Sequence, residues 1–257
     1  MTNENLFLSV VIPAYNEERR IGKTLAAMRQ FLDKQTYPYE VIVVNDGSRD
    51  TTDAVVSIIA EGWPELRFIS NQNNQGKGAV VRQGVLGARG RYILFSDADN
   101  ATPIEQIDKL LPYINDYPVV IGSRYCKGAH VHIPQSRHRI LLSRASNLLI
   151  RILAVPGIYD TQCGFKLFDQ RAGKNIFANV KLNRFGFDFE VLVIARHLGY
   201  TFKEVGIDWY NDMESKVRTG REALRTLRDL LRVKLNLLRG KYDTSSVVVS
   251  HHERIHR

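Results

Sequence analysis

Four short apolar runs constrain this chain more than any other feature. They are Leu6 to Ile12, Val41 to Val44, Leu66 to Ile69 and Tyr92 to Phe95. A strand with one wet face alternates apolar and polar residues, whereas a nearly continuous apolar run belongs to a strand buried on both faces. Helical spacing fills the intervals. Ile21, Leu25, Met28 and Leu32 share one helix face, Thr51 or Thr52 is placed to cap a helix through Ile59, and Ala79 to Ala88 reads as a third helix. Buried strands alternating with helices predict an α/β chain: a mostly parallel central sheet with helices on both faces.

Ligands of such sheets bind outside the carboxyl ends of the strands. The residues there are polar and acidic. Asn16 and Glu17 follow the first strand, which stops at Pro13. Asp46 follows the second, in Asn45-Asp46-Gly47-Ser48, and Asp97 and Asp99 follow the fourth. Three acidic groups therefore converge on one edge.

Asp97-Ala98-Asp99 is the sharpest signal. Two carboxylates one residue apart can share a hard divalent cation and leave positions open for phosphate oxygens. The competing reading is a loop whose acids cap a helix near Thr102-Pro103. Asp46 offers a carboxylate to a base or ribose, or forms an Asx-turn with Gly47 and Ser48. Gly76-Lys77-Gly78 looks like a phosphate loop. It lacks both the Walker pattern and the third glycine of the dinucleotide fingerprint, which argues against a nucleoside-triphosphatase or a dehydrogenase.

Beyond Val119 to Gly122 the alternation weakens. A basic segment carries Arg124, Lys127, Arg137, Arg139 and Arg144, with His130, His132 and His138 among them. A mixed helix runs to about Ala154. Another helix, Phe187 to His197, precedes a strand from Thr201 to Ile207, and Asp188 and Glu190 within it are candidates for a structural or acceptor-side role. The pattern over Glu222 to Leu238 is helical. Leu224, Leu227, Leu231, Leu235 and Leu238 form one stripe, flanked by Arg221, Arg225, Arg228, Arg232 and Arg239. Such a stripe lies in an anionic interface or packs on the core or a partner subunit.

The net charge of +9 calls for an acidic partner: a nucleotide diphosphate, a lipid phosphate or an anionic membrane. No nucleic-acid motif or aromatic-basic platform is present. Cys126 and Cys163 form no metal pattern and predict a reducing compartment without disulfides. A membrane span needs ~20 apolar residues. The best candidate, Ile140 to Val155, is broken by Arg144, Asn147 and Arg151, and the polar start at Met1 has no signal-peptide character. Any membrane contact is expected to be peripheral, on the cytoplasmic face.

The motifs also carry a family resemblance. Val11-Ile12-Pro13-Ala14-Tyr15-Asn16-Glu17, Val43-Val44-Asn45-Asp46-Gly47-Ser48, Asn74-Gln75-Gly76-Lys77-Gly78-Ala79 and Asp97-Ala98-Asp99 resemble, in order, the signatures of family 2 inverting glycosyltransferases. Gly122-Ser123-Arg124 and Asp160-Thr161-Gln162-Cys163-Gly164-Phe165-Lys166 resemble its polyprenyl-phosphate branch. Asp97-Ala98-Asp99-Asn100-Ala101-Thr102 and Glu214-Ser215-Lys216-Val217 look most like dolichyl-phosphate β-glucosyltransferases.

The resemblance covers roughly residues 6 to 235 and implies the two-lobed GT-A fold. One catalytic domain over 1–243 would comprise a nucleotide-sugar half (about 1–100), an acceptor half with amphipathic helices (101–220) and a basic amphipathic helix (221–240), followed by a flexible tail (244–257). It implies that Pro13, Tyr15, Glu17 and Asp46 surround the nucleoside. Asp97 and Asp99 would hold Mg2+ or Mn2+ and the diphosphate. Arg124, Arg139 and Ser143 would face the acceptor phosphate, Lys216 and Arg218 would close over the leaving diphosphate, and Lys77, Ala98 and Gln162 complete the substrate-binding set. The implied reaction moves glucose from UDP-glucose to a polyprenyl phosphate. Transfer of mannose from GDP-mannose, or transfer to a saccharide or protein, is the alternative. Mannose-transferring relatives often carry Gln two positions after the second Asp, where this chain has Ala101.

Overall fold

The apolar runs form the centre of one seven-stranded sheet, in the order β3-β2-β1-β4-β7-β5-β8. A computed structural model describes residues 6–132, 147–210 and 219–242, and of residues 219–224 the backbone alone. The first half repeats strand and helix without a break: β1 (Leu8–Ala14), α1 (Ile21–Leu32), β2 (Tyr39–Asn45), α2 (Thr52–Glu61), β3 (Leu66–Ser70), α3 (Lys77–Gly87) and β4 (Tyr92–Ser96). These four strands are mutually parallel. Short helical turns around α4 (Ile107–Leu110) lead to β5 (Val119–Ser123).

The second half departs from simple alternation. β6 (His130–Val131) pairs with β9 (Asp208–Trp209) in a separate two-stranded ribbon. A helical stretch at 147–153 (α5) precedes β7 (Phe165–Asp169), α6 (Gln170–Asn179), α7 (Phe187–His197), β8 (Phe202–Gly206) and, after β9, α8 (Thr219–Leu238). β7 slots between β4 and β5 and runs antiparallel to both. It is the one reversed strand of this sheet, so the expected mostly parallel sheet is observed. β7 and α6 carry no clear pattern in the sequence. Lys166 interrupts the apolar run of β7, and Asp169 caps α6 by accepting from Arg171 N at 3.0 Å.

Both faces of the sheet are covered, as continuous apolar strands require. Val11, Ile42, Val44 and Phe95 pack with α3, α6 and α7 on one side. Val10, Ile12, Val41, Val43 and Leu94 pack with α1 on the other, where Ile21, Leu25, Met28 and Leu32 are all fully buried. The cap of α2 differs from expectation. Thr51 occupies the N-cap position, but its side chain makes no capping bond there. Asp50 accepts from Thr52 N at 3.0 Å instead, and the Thr52 hydroxyl accepts from Glu17 N at 2.7 Å. Both cysteines are free, as expected.

One buried acid ties the strands that carry the site. Glu40 on β2 is 2% exposed. It accepts from the Ser9 hydroxyl on β1 at 2.7 Å, and from the backbone and guanidinium of Arg89 before β4 at 2.7, 3.1 and 2.9 Å. Burial alone would raise its pKa; the bonds from Ser9 and Arg89 outweigh burial and hold it below the ordinary value. Glu40→Ala strands these donors, and we expect urea denaturation at neutral pH to show a loss of about 3 kcal/mol. A depressed folded pKa gives stability that is full above the unfolded value and fades as pH falls through the folded one. The gap between wild type and variant therefore narrows in acid; a gap unchanged down to about pH 3 contradicts this account.

Candidate active site

The carboxyl ends of β1, β2 and β4 open onto one cleft of about 500 Å³. At β1, Pro13 and Tyr15 line the wall. Asn16 adopts a left-handed backbone with φ 55°. That turn is laced to the end of β2, because Asn16 N donates to the Ser48 hydroxyl at 2.9 Å and Arg49 N donates to Asn16 Oδ1 at 2.8 Å. Glu17 receives the Arg20 guanidinium through two bonds of 2.7 Å.

At β2 the roles of Asn45 and Asp46 differ from the sequence expectation. Asn45 closes the turn, with Oδ1 accepting from Ser48 N, three residues on, at 3.2 Å. Asp46, only 3% exposed, holds the loop before α3. Its carboxylate accepts from Gln75 N at 2.6 Å, Gly76 N at 2.9 Å and Asn74 Nδ2 at 2.8 Å. Burial pushes its pKa up, against those bonds and the charge of Arg184. Gly76 lies at φ 100°, and a Cβ there would meet Asn183 O at 2.3 Å, so this position requires glycine.

At β4, Asp97 and Asp99 face the first residue of α3. Lys77 Nζ lies 2.7 Å from Asp97 Oδ1 and over the rings of Phe95 and Phe185, at 5.4 and 5.8 Å. Burial works against the ammonium, but Asp97, Asp188 and Asp99 override it and raise the Lys77 pKa, so the lysine is a permanent cation. Burial, then the neighbouring Asp97, raises the pKa of Asp99. Asp99 Oδ1 also accepts from Ala101 N at 3.0 Å, while the Ala98 carbonyl accepts from the Thr24 hydroxyl at 2.7 Å. These bonds fix the turn from both sides.

The residues fit a divalent cation of the kind that keeps several outside ligands. Among the described residues no group of three or more metal-binding side chains gathers. What the site offers is two adjacent carboxylates, one of them already facing the Lys77 ammonium, and a buried oxygen that accepts no hydrogen bond, Asn100 Oδ1. Magnesium-like ions are held by one or two carboxylates together with substrate phosphates and water.

Residues 9–177 match Glycosyl transferase family 2. Two curated relatives extend the match over nearly the whole chain. Dolichyl-phosphate beta-glucosyltransferase of Dictyostelium discoideum is 32% identical over 95% of this chain and 78% of its own length. That of Drosophila melanogaster is 36% identical over 95% of this chain and 79% of its own length. The chain belongs to glycosyl transferase family 2. The fold agrees. Glucosyl-3-phosphoglycerate synthase from Mycobacterium tuberculosis, crystallised with Mn2+, UDP and glucosyl-3-phosphoglycerate, superposes with a TM-score of 0.65 at 16% identity, over 88% of this chain and 79% of that one.

Of the residues expected from the family signatures, Pro13, Tyr15, Glu17, Asp46, Lys77, Asp97, Ala98 and Asp99 all line the cleft. Arg124 and Gln162 do not. The Arg124 backbone and guanidinium bind the fully buried Asp160, at 3.0, 2.7 and 2.9 Å. Its side chain therefore holds the turn ahead of β7. Arg139, Ser143, Lys216 and Arg218 lie outside the described residues, as do His138 and the tail over 244–257. His132 stacks on Tyr210 with ring centroids 4.4 Å apart. Asp188 and Glu190 are internal: Asp188 pairs with Lys166, and Glu190 accepts from Leu182 N at 2.8 Å and the Tyr242 hydroxyl at 2.8 Å.

Sequence reasoning missed Arg184 and Phe185, which form the opposite wall from the loop before α7. It also missed the reason for Gly164. A Cβ there would lie 2.0 Å from Asp97 Oδ2, and the Gly164 carbonyl accepts from Asp97 N at 3.1 Å. The glycine seats the Asp97 carboxylate by having no side chain. Displacing a reacting group by ~1 Å can cost on the order of a hundredfold in rate. We therefore expect Gly164→Ala to keep a native near-ultraviolet circular dichroism spectrum and to lose about two orders of magnitude in turnover; a variant within twofold of wild type would contradict this role.

Proposed function

We propose that this chain is a dolichyl-phosphate β-glucosyltransferase that moves glucose from UDP-glucose to a polyprenyl phosphate, with inversion at the anomeric carbon. The observation that carries the reading is the cleft itself. One wall, built from β1 and β2, suits a nucleoside, and Lys77 with Asp97 and Asp99 suits a metal diphosphate beside it. The curated relatives bear the name of this activity. Mn2+ and UDP occur together in the M. tuberculosis enzyme of the same fold. Ala101 stands where mannose-transferring relatives often have Gln, which favours the glucosyl donor.

Asp97 and Asp99 would hold Mg2+ or Mn2+, which supplies Lewis-acid neutralisation of the departing diphosphate. The chain's own residues do the rest. Lys77 adds a fixed positive charge where negative charge develops, at no reorganisation cost. Phe95 and Phe185 present their rings to that ammonium and add cation–π attraction. A phosphomonoester is already mostly ionised at neutral pH, its second pKa being ~6, so the acceptor needs positioning more than a base. Arg139 and Ser143, four residues apart, would grip the acceptor phosphate, and Lys216 and Arg218 would close over the diphosphate. Residues 1–100 thus form the donor half and 101–220 the acceptor half. Arg124 positions the Asp160 turn, and contact with the acceptor phosphate is not assigned to it.

The acceptor also calls for a membrane surface. Among the described residues no helix is long and apolar enough to cross a membrane. Two helices present apolar side chains outward. α5 exposes Leu148, Leu149, Ile152 and Leu153. On α8 the core side is Leu230 and Val233, while the leucine stripe points away: Leu227, Leu231, Leu235 and Leu238 are 41, 57, 47 and 85% exposed. Arg228, Arg232 and Arg239 are exposed along one edge of that stripe, and Lys234 along the other. Such a face suits peripheral binding to an anionic leaflet, and we place it at the cytoplasmic side.

Asp99→Asn keeps the shape and removes the charge. We expect an unchanged melting temperature and loss of nearly all turnover at limiting Mg2+; wild-type-like turnover would sink the metal assignment. Calorimetry is expected to show UDP binding more tightly than GDP, and the reverse order would overturn the donor. In flotation assays the protein should rise with anionic vesicles at low salt and remain behind at high salt. Failure to float at any salt would overturn the membrane face.

A further inference from the structure

Beneath the cleft lies a second charge pair that the proposed reaction does not use. Lys166, the second residue of β7, is 1% exposed, in a sheet position where an apolar residue would cost less. Its ammonium donates to Asp188 Oδ1 at 2.6 Å and to the Cys163 carbonyl at 2.6 Å. The Phe95 ring lies 5.8 Å from this ammonium and 5.4 Å from that of Lys77. Asp188 in turn feels both lysines and Asp97.

The connection to the site is geometric. Lys166 fixes the Cys163 carbonyl; the next residue, Gly164, holds Asp97 N through its own carbonyl and abuts the Asp97 carboxylate at its α-carbon. We propose that Lys166 and Asp188 are positioning residues for the metal-diphosphate centre, with the pair anchoring the Cys163–Gly164 turn against which the Asp97 carboxylate is seated. This inference rests on Asp97 being a metal ligand, as argued above. It adds that the buried pair belongs to the site and not to the fold. Replacing a buried ion pair by well-packed apolar groups of similar volume is often neutral or stabilising. Partners behind metal ligands, by contrast, typically change metal affinity 10- to 100-fold when altered.

The two roles separate in the double variant Lys166→Met/Asp188→Leu, which replaces the pair with apolar groups of similar size. The measurements are the melting temperature, UDP affinity by calorimetry with EDTA and across a Mn2+ titration, and steady-state kinetics. The expected result is a melting temperature at or above that of wild type, and unchanged UDP affinity in EDTA. The Mn2+ concentration needed for half-maximal UDP binding should rise about 10- to 100-fold, with kcat falling and KM for polyprenyl phosphate unchanged. A wild-type Mn2+ requirement in the stable double variant overturns the positioning role. So does a melting temperature well below wild type, which would assign the pair to the fold. Wild-type protein is the control for the reading beneath: absence of Mn2+-dependent UDP binding there overturns the metal assignment itself.

Discussion

Carboxylates at the ends of buried strands are the constraint on which this molecule turns. A strand covered on both faces ends in a low-dielectric setting, and an acid placed there is costly unless donors or cations surround it. Each acid of the cleft is satisfied in a different way. Asp46 takes two backbone N–H groups and the Asn74 amide. Glu17 takes the fork of Arg20. Asp97 takes the Lys77 ammonium, and Asp99 takes Ala101 N, with the charges of Lys77 and Arg20 farther off. The least compensated pair is thus Asp97 with Asp99, which face one another's charge. A divalent cation is what such a pair lacks electrostatically.

The solutions also differ in rigidity. Asp46 is locked by backbone donors and shapes the Asn74–Gly76 loop, so its contribution to a ligand is the form of the cleft wall as much as a direct contact. Lys77 rides on the end of α3, whose entry is set by Gly76 against Asn183 O. The same loop brings Arg184 and Phe185 to the opposite wall. One glycine and one buried aspartate therefore place both sides of the cleft. This explains how residues far apart in sequence converge without a linking helix.

Much of this was legible beforehand. β1 to β4, α1 to α3 and α7 follow from continuous apolar runs and helical spacing, which depend on local chemistry alone. The strand-end rule pointed to the edge where Asp46, Asp97 and Asp99 line one cleft. What escaped was decided by partners distant in sequence. β7 reads poorly because Lys166 breaks its apolar run, and Asp188 with the Cys163 carbonyl makes that tolerable. Arg124 looked like a phosphate ligand because a lone arginine carries no sign of Asp160 waiting for it. Gly164 reads as a turn residue, whereas its necessity comes from the Asp97 carboxylate. In α8 the leucine stripe was visible, but its direction was not. Leu230 and Val233 took the core, and the five-leucine stripe was left outside where it is described.

That last choice bears on chemistry. A helix can bury its broadest apolar face, and packing alone would turn the stripe inward. Here a narrower face packs, while Leu231 and Leu238 remain 57 and 85% exposed beside arginines. Exposed leucines edged by cations are a poor surface in water and a good one at an anionic interface, where apolar burial and charge attraction add. The net charge of +9 supports the same division. Acidic groups are concentrated and compensated in the cleft, so the excess of lysine and arginine is carried by the remaining surface, where it would favour the anionic surface proposed above. The lipid-phosphate acceptor proposed above would bring those two requirements together, because its charged end would have to reach the proposed metal-diphosphate centre while its chain stays in the bilayer.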